Sequence, residues 1–406
     1  MNKKKQKLAF RIATLITCAV FLVLSLLFAV ASLILNRSNS NSENSYIVSS
    51  EEQDESSTEA LENASQVFGE SSVNIDEVVS KEPSSEPSSD DIVEELHHDF
   101  IHNIYGHTFI YGDSGFEQFN YGENALNRYI NGLNALSEYF PENTKVYNIT
   151  VPISTTYVSI PREIYTQHDF YNKSQGTFVS KVVSGLDPKI TNIPIVEKLQ
   201  ERYDNGEYLF FRTDNNWTPL AAYTAYAEFC NAKGLNAYAI SGFPKTEQGD
   251  FLGRFYFATK DENMKGNPDI LSYFSTVPSV STSLTVYDNG SKYTNYNLCG
   301  NKVDVESGYG VFVGIDAGRY EINSTANGGN LLIIGDSSVY PVLPFLASHY
   351  SKIDFINPAN FDLTVSEFLQ NRQYDDVITM CYTTNATAGD YMPAFNTFIE
   401  ASNENE

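Results

Sequence analysis

Asn330-Leu-Leu-Ile-Ile-Gly-Asp-Ser-Ser-Val-Tyr-Pro-Val-Leu-Pro-Phe-Leu346 is the stretch whose reading decides the fold. Leu331 to Ile334 is a short unbroken apolar run, the pattern of a strand buried on both faces of a parallel sheet. Gly335 can take the backbone angles of a tight turn that other residues resist. Asp336, Ser337 and Ser338 then offer N-cap chemistry for a helix. A serine at the carboxyl end of a strand, beside the positive end of a helix dipole, suits a nucleophile whose attack generates an oxyanion. Asp-Ser also serves as a plain helix cap, and the tripeptide alone favours that blander use.

Working outward, Lys145 to Ser154 is a second buried-strand signal, and Ile353–Asn357 and Asp376–Met380 are two more, with a helix over Phe361–Gln370 between them. Tyr121 to Phe140 places Ala125, Leu126, Tyr129, Ile130, Leu133, Leu136 and Tyr139 at helical spacing and reads as a core-facing helix. Ile195–Tyr203 reads as a short helix, Tyr208–Arg212 as a strand, and Leu220–Lys233 as the helix behind it. Strand–helix alternation at both ends predicts an α/β domain with a parallel sheet flanked by helices. Ile270 to Tyr320, with a turn signal at Asp288-Asn-Gly290, reads as antiparallel hairpins inserted before the last α/β unit.

Arg212-Thr-Asp-Asn-Asn-Trp-Thr-Pro-Leu-Ala-Ala-Tyr223 holds the only tryptophan of the chain. With the Asp336-Ser337 stretch, it resembles the DHHW family, relatives of the SGNH hydrolases and of the alginate O-acetylation proteins. In that family a Thr-Asp-His-His-Trp-Thr-Pro block supplies an Asp-x-His pair and a later Asp-Ser supplies the nucleophile. Asp214, Trp217, Thr218 and Pro219 match the first block, and Asp336 with Ser337 match the second. The resemblance spans roughly residues 105–390, strongest over 208–226 and 330–358. It implies an SGNH-hydrolase-like fold and a site built from Ser337, Asp214 and the position of the histidine. Phe251-Leu-Gly-Arg-Phe-Tyr256 is similar to the family's Gly-Thr-Leu-Tyr-type block.

Both motif histidines are replaced here, by Asn215 and Asn216. Gly335 stands where the family often has lysine, and Tyr340 where it often has asparagine. A serine hydroxyl is a poor nucleophile unless a base takes its proton, and an amide has no useful basicity. The acid of a triad orients the imidazole and does not replace it, although Asp214 could serve as a weak base at a cost in rate. His349 lies twelve residues after Ser337, about 18 Å along a continuous helix; His107 and His168 lie in segments that nothing in the sequence places near the site. Ser114, in the second Gly-Asp-Ser of the chain, is the rival nucleophile, but Gly115 follows it where a helix would begin.

The amino terminus is a different polymer. Residues 1–11 carry Lys3, Lys4, Lys5, Lys7 and Arg11 and no acid, and residues 12–35 carry no charge at all. Some 24 residues of helix span a hydrocarbon core of about 30 Å, and the basic flank places the amino terminus inside. A cleaved signal peptide is the competing reading, since Ala29-Val-Ala31 resembles a cleavage site, but its apolar core would be unusually long. Residues 36–95 form a Ser/Glu-rich segment, and from Ser38 to Glu95 sixteen acids face Lys81 alone. Such a segment cannot bury enough apolar surface to offset its ordering entropy and is expected to be a disordered, extended stalk. The folded domain is assigned to residues 96–401.

The formal net charge of −25 argues against nucleic acid as a partner and favours a neutral or cationic ligand. Of four cysteines, Cys18 lies in the apolar span, and Cys230, Cys299 and Cys381 show no CxxC spacing. No metal or cofactor is called for: no histidine has ligand spacing with an acid, and no glycine-rich phosphate loop is present. The sequence thus predicts a single-pass protein of the cell membrane with its domain outside the cytoplasm, a pseudoenzyme that binds or modifies cell-envelope glycan. An active carbohydrate O-acetylesterase or O-acetyltransferase using Ser337, and a non-catalytic envelope scaffold, are the alternatives. The 27 Tyr and 26 Phe include rings that could stack on sugars, though core packing accounts for most of them.

Overall fold

The computed structural model describes residues 108–158, 172–303 and 308–400. The expected membrane span, the stalk, His107 and His168 all lie outside the described residues, and no helix among the described residues is long and apolar enough to cross a membrane.

Among the described residues twelve strands follow in chain order. They are β1 (Thr108–Tyr111), β2 (Ser114–Glu117), β3 (Lys145–Val151), β4 (Ile190–Asn192), β5 (Lys245–Phe251), β6 (Asp269–Phe274), β7 (Thr282–Asp288), β8 (Ser291–Tyr293), β9 (Arg319–Ser324), β10 (Gly328–Gly335), β11 (Tyr350–Ile356) and β12 (Asp376–Tyr382). Eight of them form one sheet in the order β4-β3-β12-β10-β11-β9-β7-β8. The five strands from β4 to β11 run parallel, whereas β9, β7 and β8 are each antiparallel to the preceding strand. The sheet is therefore mixed rather than wholly parallel. The region read as an insertion is divided: β7, β8 and β9 extend the main sheet, while β6 pairs with β5 in a separate ribbon.

The apolar run that decides the fold lies on β10, between β11 and β12. Leu331, Leu332, Ile333 and Ile334 are fully buried, as a central strand with both faces covered requires. Gly335 ends it where β12 passes close by; a Cβ there would stand 2.2 Å from the Met380 carbonyl oxygen. The β7–β8 turn uses Asn289 and Gly290 in the left-handed region, with φ of 46° and 75°, as its Asn-Gly pair predicts.

Helix Glu123–Ser137 buries Leu126, Tyr129, Ile130, Leu133 and Leu136 of the stripe read from the sequence, while Ala125 is half-buried and Tyr139 lies past the end of the helix. Helix Pro219–Lys233 starts at Thr218, whose hydroxyl accepts from the Ala221 N–H, with Pro219 at its first position, and stops at left-handed Gly234. Two other expectations are corrected. Tyr208–Arg212 does not join the sheet: the backbone closes on itself through a Phe210–Trp217 bridge and a Thr218 N–H to Leu209 carbonyl bond, while the Asp269 carboxylate accepts from the Thr213 N–H. The helix after Ser337 is not continuous. Ser337–Val342 is a 3-10 turn containing Pro341, followed by a single α-turn over Leu343–Leu346, because proline removes a helical donor and tightens the path.

Candidate active site

The Asp-Ser block reaches its place because β10 ends at the middle of the sheet and Asp336 caps the turn that follows. Asp336 is buried and accepts from the Ser338 N–H at 2.9 Å, the Ser338 hydroxyl at 2.5 Å, the Tyr382 N–H at 2.8 Å and Asn385 Nδ2 at 2.6 Å. It thus fastens the Ser337 turn to the end of β12, and burial raises its carboxyl above the ordinary range.

The Asp214 block comes to the same point from its loop. Trp217, fully buried, donates its indole N–H to the Ser338 carbonyl at 3.1 Å, and its backbone N–H donates to Tyr382 Oη at 3.0 Å. Asp214 accepts from the Asn216 N–H at 2.9 Å, from Asn216 Nδ2 at 2.6 Å and from the Arg254 N–H at 2.8 Å. Burial raises the Asp214 carboxyl, and these donors oppose the rise.

A carboxylate only accepts, so the Asn216 amide must turn its NH2 toward Asp214 and its oxygen the other way. That oxygen accepts from the Ser337 hydroxyl at 3.1 Å and from the Tyr382 hydroxyl at 3.3 Å. The relay Asp214–Asn216–Ser337 therefore has the connectivity of an acid–imidazole–serine triad, with the amide oxygen where a basic nitrogen would be. The three residues called from the sequence are brought together. Asp214 and Asn216 arrive from a loop rather than from a sheet strand, and Ser337 opens a 3-10 turn rather than a long helix.

The rival residues lie elsewhere. Ser114 begins β2, and its hydroxyl donates to its neighbour Asp113 at 3.0 Å. His349, the one histidine among the described residues, packs beside β11. Its Nε2 lies 2.7 Å from the Tyr226 hydroxyl, and burial lowers its basicity. Cys230, Cys299 and Cys381 are free thiols that burial pushes up, to about 12 for Cys230 and about 11 for Cys299.

Several residues of the site escaped sequence reasoning. Tyr382 and Asn385 lie just past the apolar run of β12, which ends at Met380 as read from the sequence, and nothing in their types marks them. Gly253 and Arg254 lie in the Phe251–Tyr256 block, whose purpose is now plain. A Cβ at Gly253 would come 2.2 Å from Asp214 Cβ, so glycine lets this backbone close over the carboxylate that the Arg254 N–H then binds. Glu117, half-buried on β2, hydrogen-bonds the Asn215 side chain and feels the charges of Arg254 and Asp214; burial pushes its carboxyl up to about 7.

A cleft of about 800 Å³ opens over the relay. Asp214, Asn216 and Ser337 face it, with Phe257 and Lys260 on one side and Tyr309, Asp316 and Tyr340 among its other walls. Tyr340 donates to Asp316 Oδ1 at 2.5 Å, which fixes the side chain that stands where the family often has asparagine. Among the described residues no group of three or more His, Cys, Asp or Glu side chains is placed to hold a metal ion.

Fold and site together define an α/β protein with a mixed central sheet, helices on its faces and a serine–amide–carboxylate relay beside the central strand. The chain belongs to the DHHW family, whose family model, described as DHHW protein, matches residues 41–356. A crystal structure of a DHHW family protein from Eubacterium siraeum DSM 15702 superposes with a TM-score of 0.62 at 24% identity, covering 73% of this chain and 93% of that one. PatB1 of Bacillus cereus, solved with a sulfonyl adduct, gives a TM-score of 0.57 at 17% identity, covering 70% and 97%. The O-acetyltransferase domain of Pseudomonas putida AlgJ gives a TM-score of 0.39 at 11% identity, covering 70% and 95%, a likeness too slight to add to the fold assignment. No curated protein sequence matches the chain.

Proposed function

We propose that the chain is a membrane-anchored, extracytoplasmic SGNH-like member of its family whose acyl-transfer site has become a binding site for cell-envelope glycan. One observation carries this reading: the Ser337 proton is directed at the Asn216 amide oxygen, which holds the hydroxyl without accepting its proton. The Asp214 contact that would orient an imidazole is intact, so the geometry of a triad is kept while its base is missing. The anchor rests on the uncharged stretch 12–35 and the acidic stalk after it.

Restoring the base tests the proposal. Wild type is expected to leave p-nitrophenyl acetate at background, and Asn216→His to hydrolyse it about 10²–10⁴-fold faster. The gain should vanish in the Asn216→His, Ser337→Ala double variant. Hydrolysis of acetylated glycan by wild type, abolished by Ser337→Ala, would overturn the reading in favour of an active O-acetylesterase or O-acetyltransferase. For the anchor, the mature chain should sediment with membranes and resist carbonate extraction; a soluble form beginning near Ser32 would refute it.

A further inference from the structure

The charge lining the cleft differs from the charge of the chain. Against a formal net charge of −25, the helix Arg254–Thr259 and the residue that caps it contribute two cations to the cleft wall, Arg254 and Lys260. Arg254 shares its field with Glu117, whose carboxyl it pulls down. Lys260 makes no ion pair among the described residues. It stands in the left-handed region with φ of 55°, which non-glycine residues seldom adopt, and its ammonium lies 4.1 Å above the centre of the Phe257 ring and 5.1 Å from that of Tyr256. The lysine is thus exposed and held over an aromatic face that itself borders the cleft.

Besides the buried Asp214, the acid lining the cleft is Asp316, which is exposed and already engaged. Asp316 accepts from Tyr340 at 2.5 Å and from Asn357 Nδ2 at 3.2 Å. One side of the cleft is therefore cationic and aromatic, while another presents a carboxylate suited to hydroxyl donors. A ligand in contact with Lys260 meets that ammonium ahead of the distant acids of the chain, whose field is screened over about 8 Å at physiological salt.

We propose that the glycan accepted by this cleft is acidic, a saccharide whose carboxylate or phosphate is met by Lys260, with Arg254 beside it, while a sugar ring lies against Phe257. The proposal rests on the glycan-binding reading above and names its ligand class. Carboxylate and phosphate share the recognising chemistry, and the test separates them.

The test is equilibrium binding of the full-length chain to three oligomers of matched length: polygalacturonate, poly(glycerol phosphate) and neutral dextran. At least one of the two acidic oligomers should bind about tenfold or more tightly than dextran, and whichever binds more tightly identifies the anionic group. Lys260→Gln should weaken acidic binding about five- to tenfold, with an unchanged melting temperature, and Lys260→Glu should remove the preference for the acidic oligomer. Arg254→Gln, whose backbone contact to Asp214 is retained, should weaken it in the same direction. Equal affinity for dextran, or no effect of Lys260→Gln, overturns the acidic-ligand inference and leaves glycan binding standing. Failure of all three oligomers to bind overturns both.

Discussion

Trp217 and Ser338, 121 residues apart, are joined by an indole N–H to carbonyl hydrogen bond of 3.1 Å. This contact ties the loop that carries Asp214 and Asn216 to the turn that carries Ser337. Trp217→Phe would leave a buried carbonyl unsatisfied and a space unfilled. A loss of about 2–4 kcal/mol is expected in urea unfolding. A variant as stable as wild type would remove this bond from the account of how the two blocks meet.

The amide oxygen of Asn216 receives two donors, Ser337 and Tyr382. A carbonyl oxygen has two lone pairs for them, whereas a neutral imidazole nitrogen has one. In Asn216→His, Tyr382 would compete with Ser337 for that nitrogen. Adding Tyr382→Phe should therefore raise the esterase rate of Asn216→His severalfold, and its pH profile should rise through about 6.5 as the imidazole loses its proton. Equal rates in the two variants would show that Tyr382 turns to Tyr309, with which it also hydrogen-bonds.

Gly253→Ala tests the closure over Asp214. Its Cβ would fall 2.2 Å from Asp214 Cβ and 2.4 Å from Oδ2, too near for either to stay. Overpacking of this kind costs about 1–3 kcal/mol. Thermal melting should register that loss, and Asn216→His should no longer gain activity in the Gly253→Ala background.

The Glu117 carboxyl has a value of about 7 in the fold against an ordinary 4.5, so folding favours its neutral form. Its stabilising contribution is complete below about 4.5 and is lost as the pH rises through about 7. Asp214 and Asp336 are shifted in the same direction. Wild type should therefore lose stability between about pH 4.5 and pH 7, and Glu117→Gln should flatten that part of the curve. An unchanged slope in Glu117→Gln would exclude this carboxyl as its source.

How far the sequence carried depended on the range of the interactions. Leu331–Ile334, Asp376–Met380 and the helix behind Trp217 were legible because an apolar run, a cap and a period are local signals. The Ser337–Asn216 pairing was legible only through the resemblance, since no periodicity links positions so far apart. Tyr208–Arg212 misled for a related reason. Its apolar residues fit a strand, but the Asp269 carboxylate, distant in sequence, binds Thr213 and turns the segment into a loop. The pairing of β9 with β11 was hidden likewise, because turn signals and hairpin patterns do not say which further neighbour a strand will meet.

Ser337 follows a strand paired on both sides, with Asp336 bolted to β12, whereas the wall from Gly308 to Asp316 belongs to no sheet strand: it opens as a 3-10 turn over Gly308–Val311 and continues with the β-branched Val313 at φ of 49°. The two sides of the cleft therefore differ in compliance. Backbone amides of Leu331–Ile334 should exchange with deuterium only when the whole domain opens, while those of the Gly308–Asp316 wall exchange through small local openings. Any adjustment of the cleft to fit a guest falls to that wall, and the relay acts as the stationary reference against which the guest is measured.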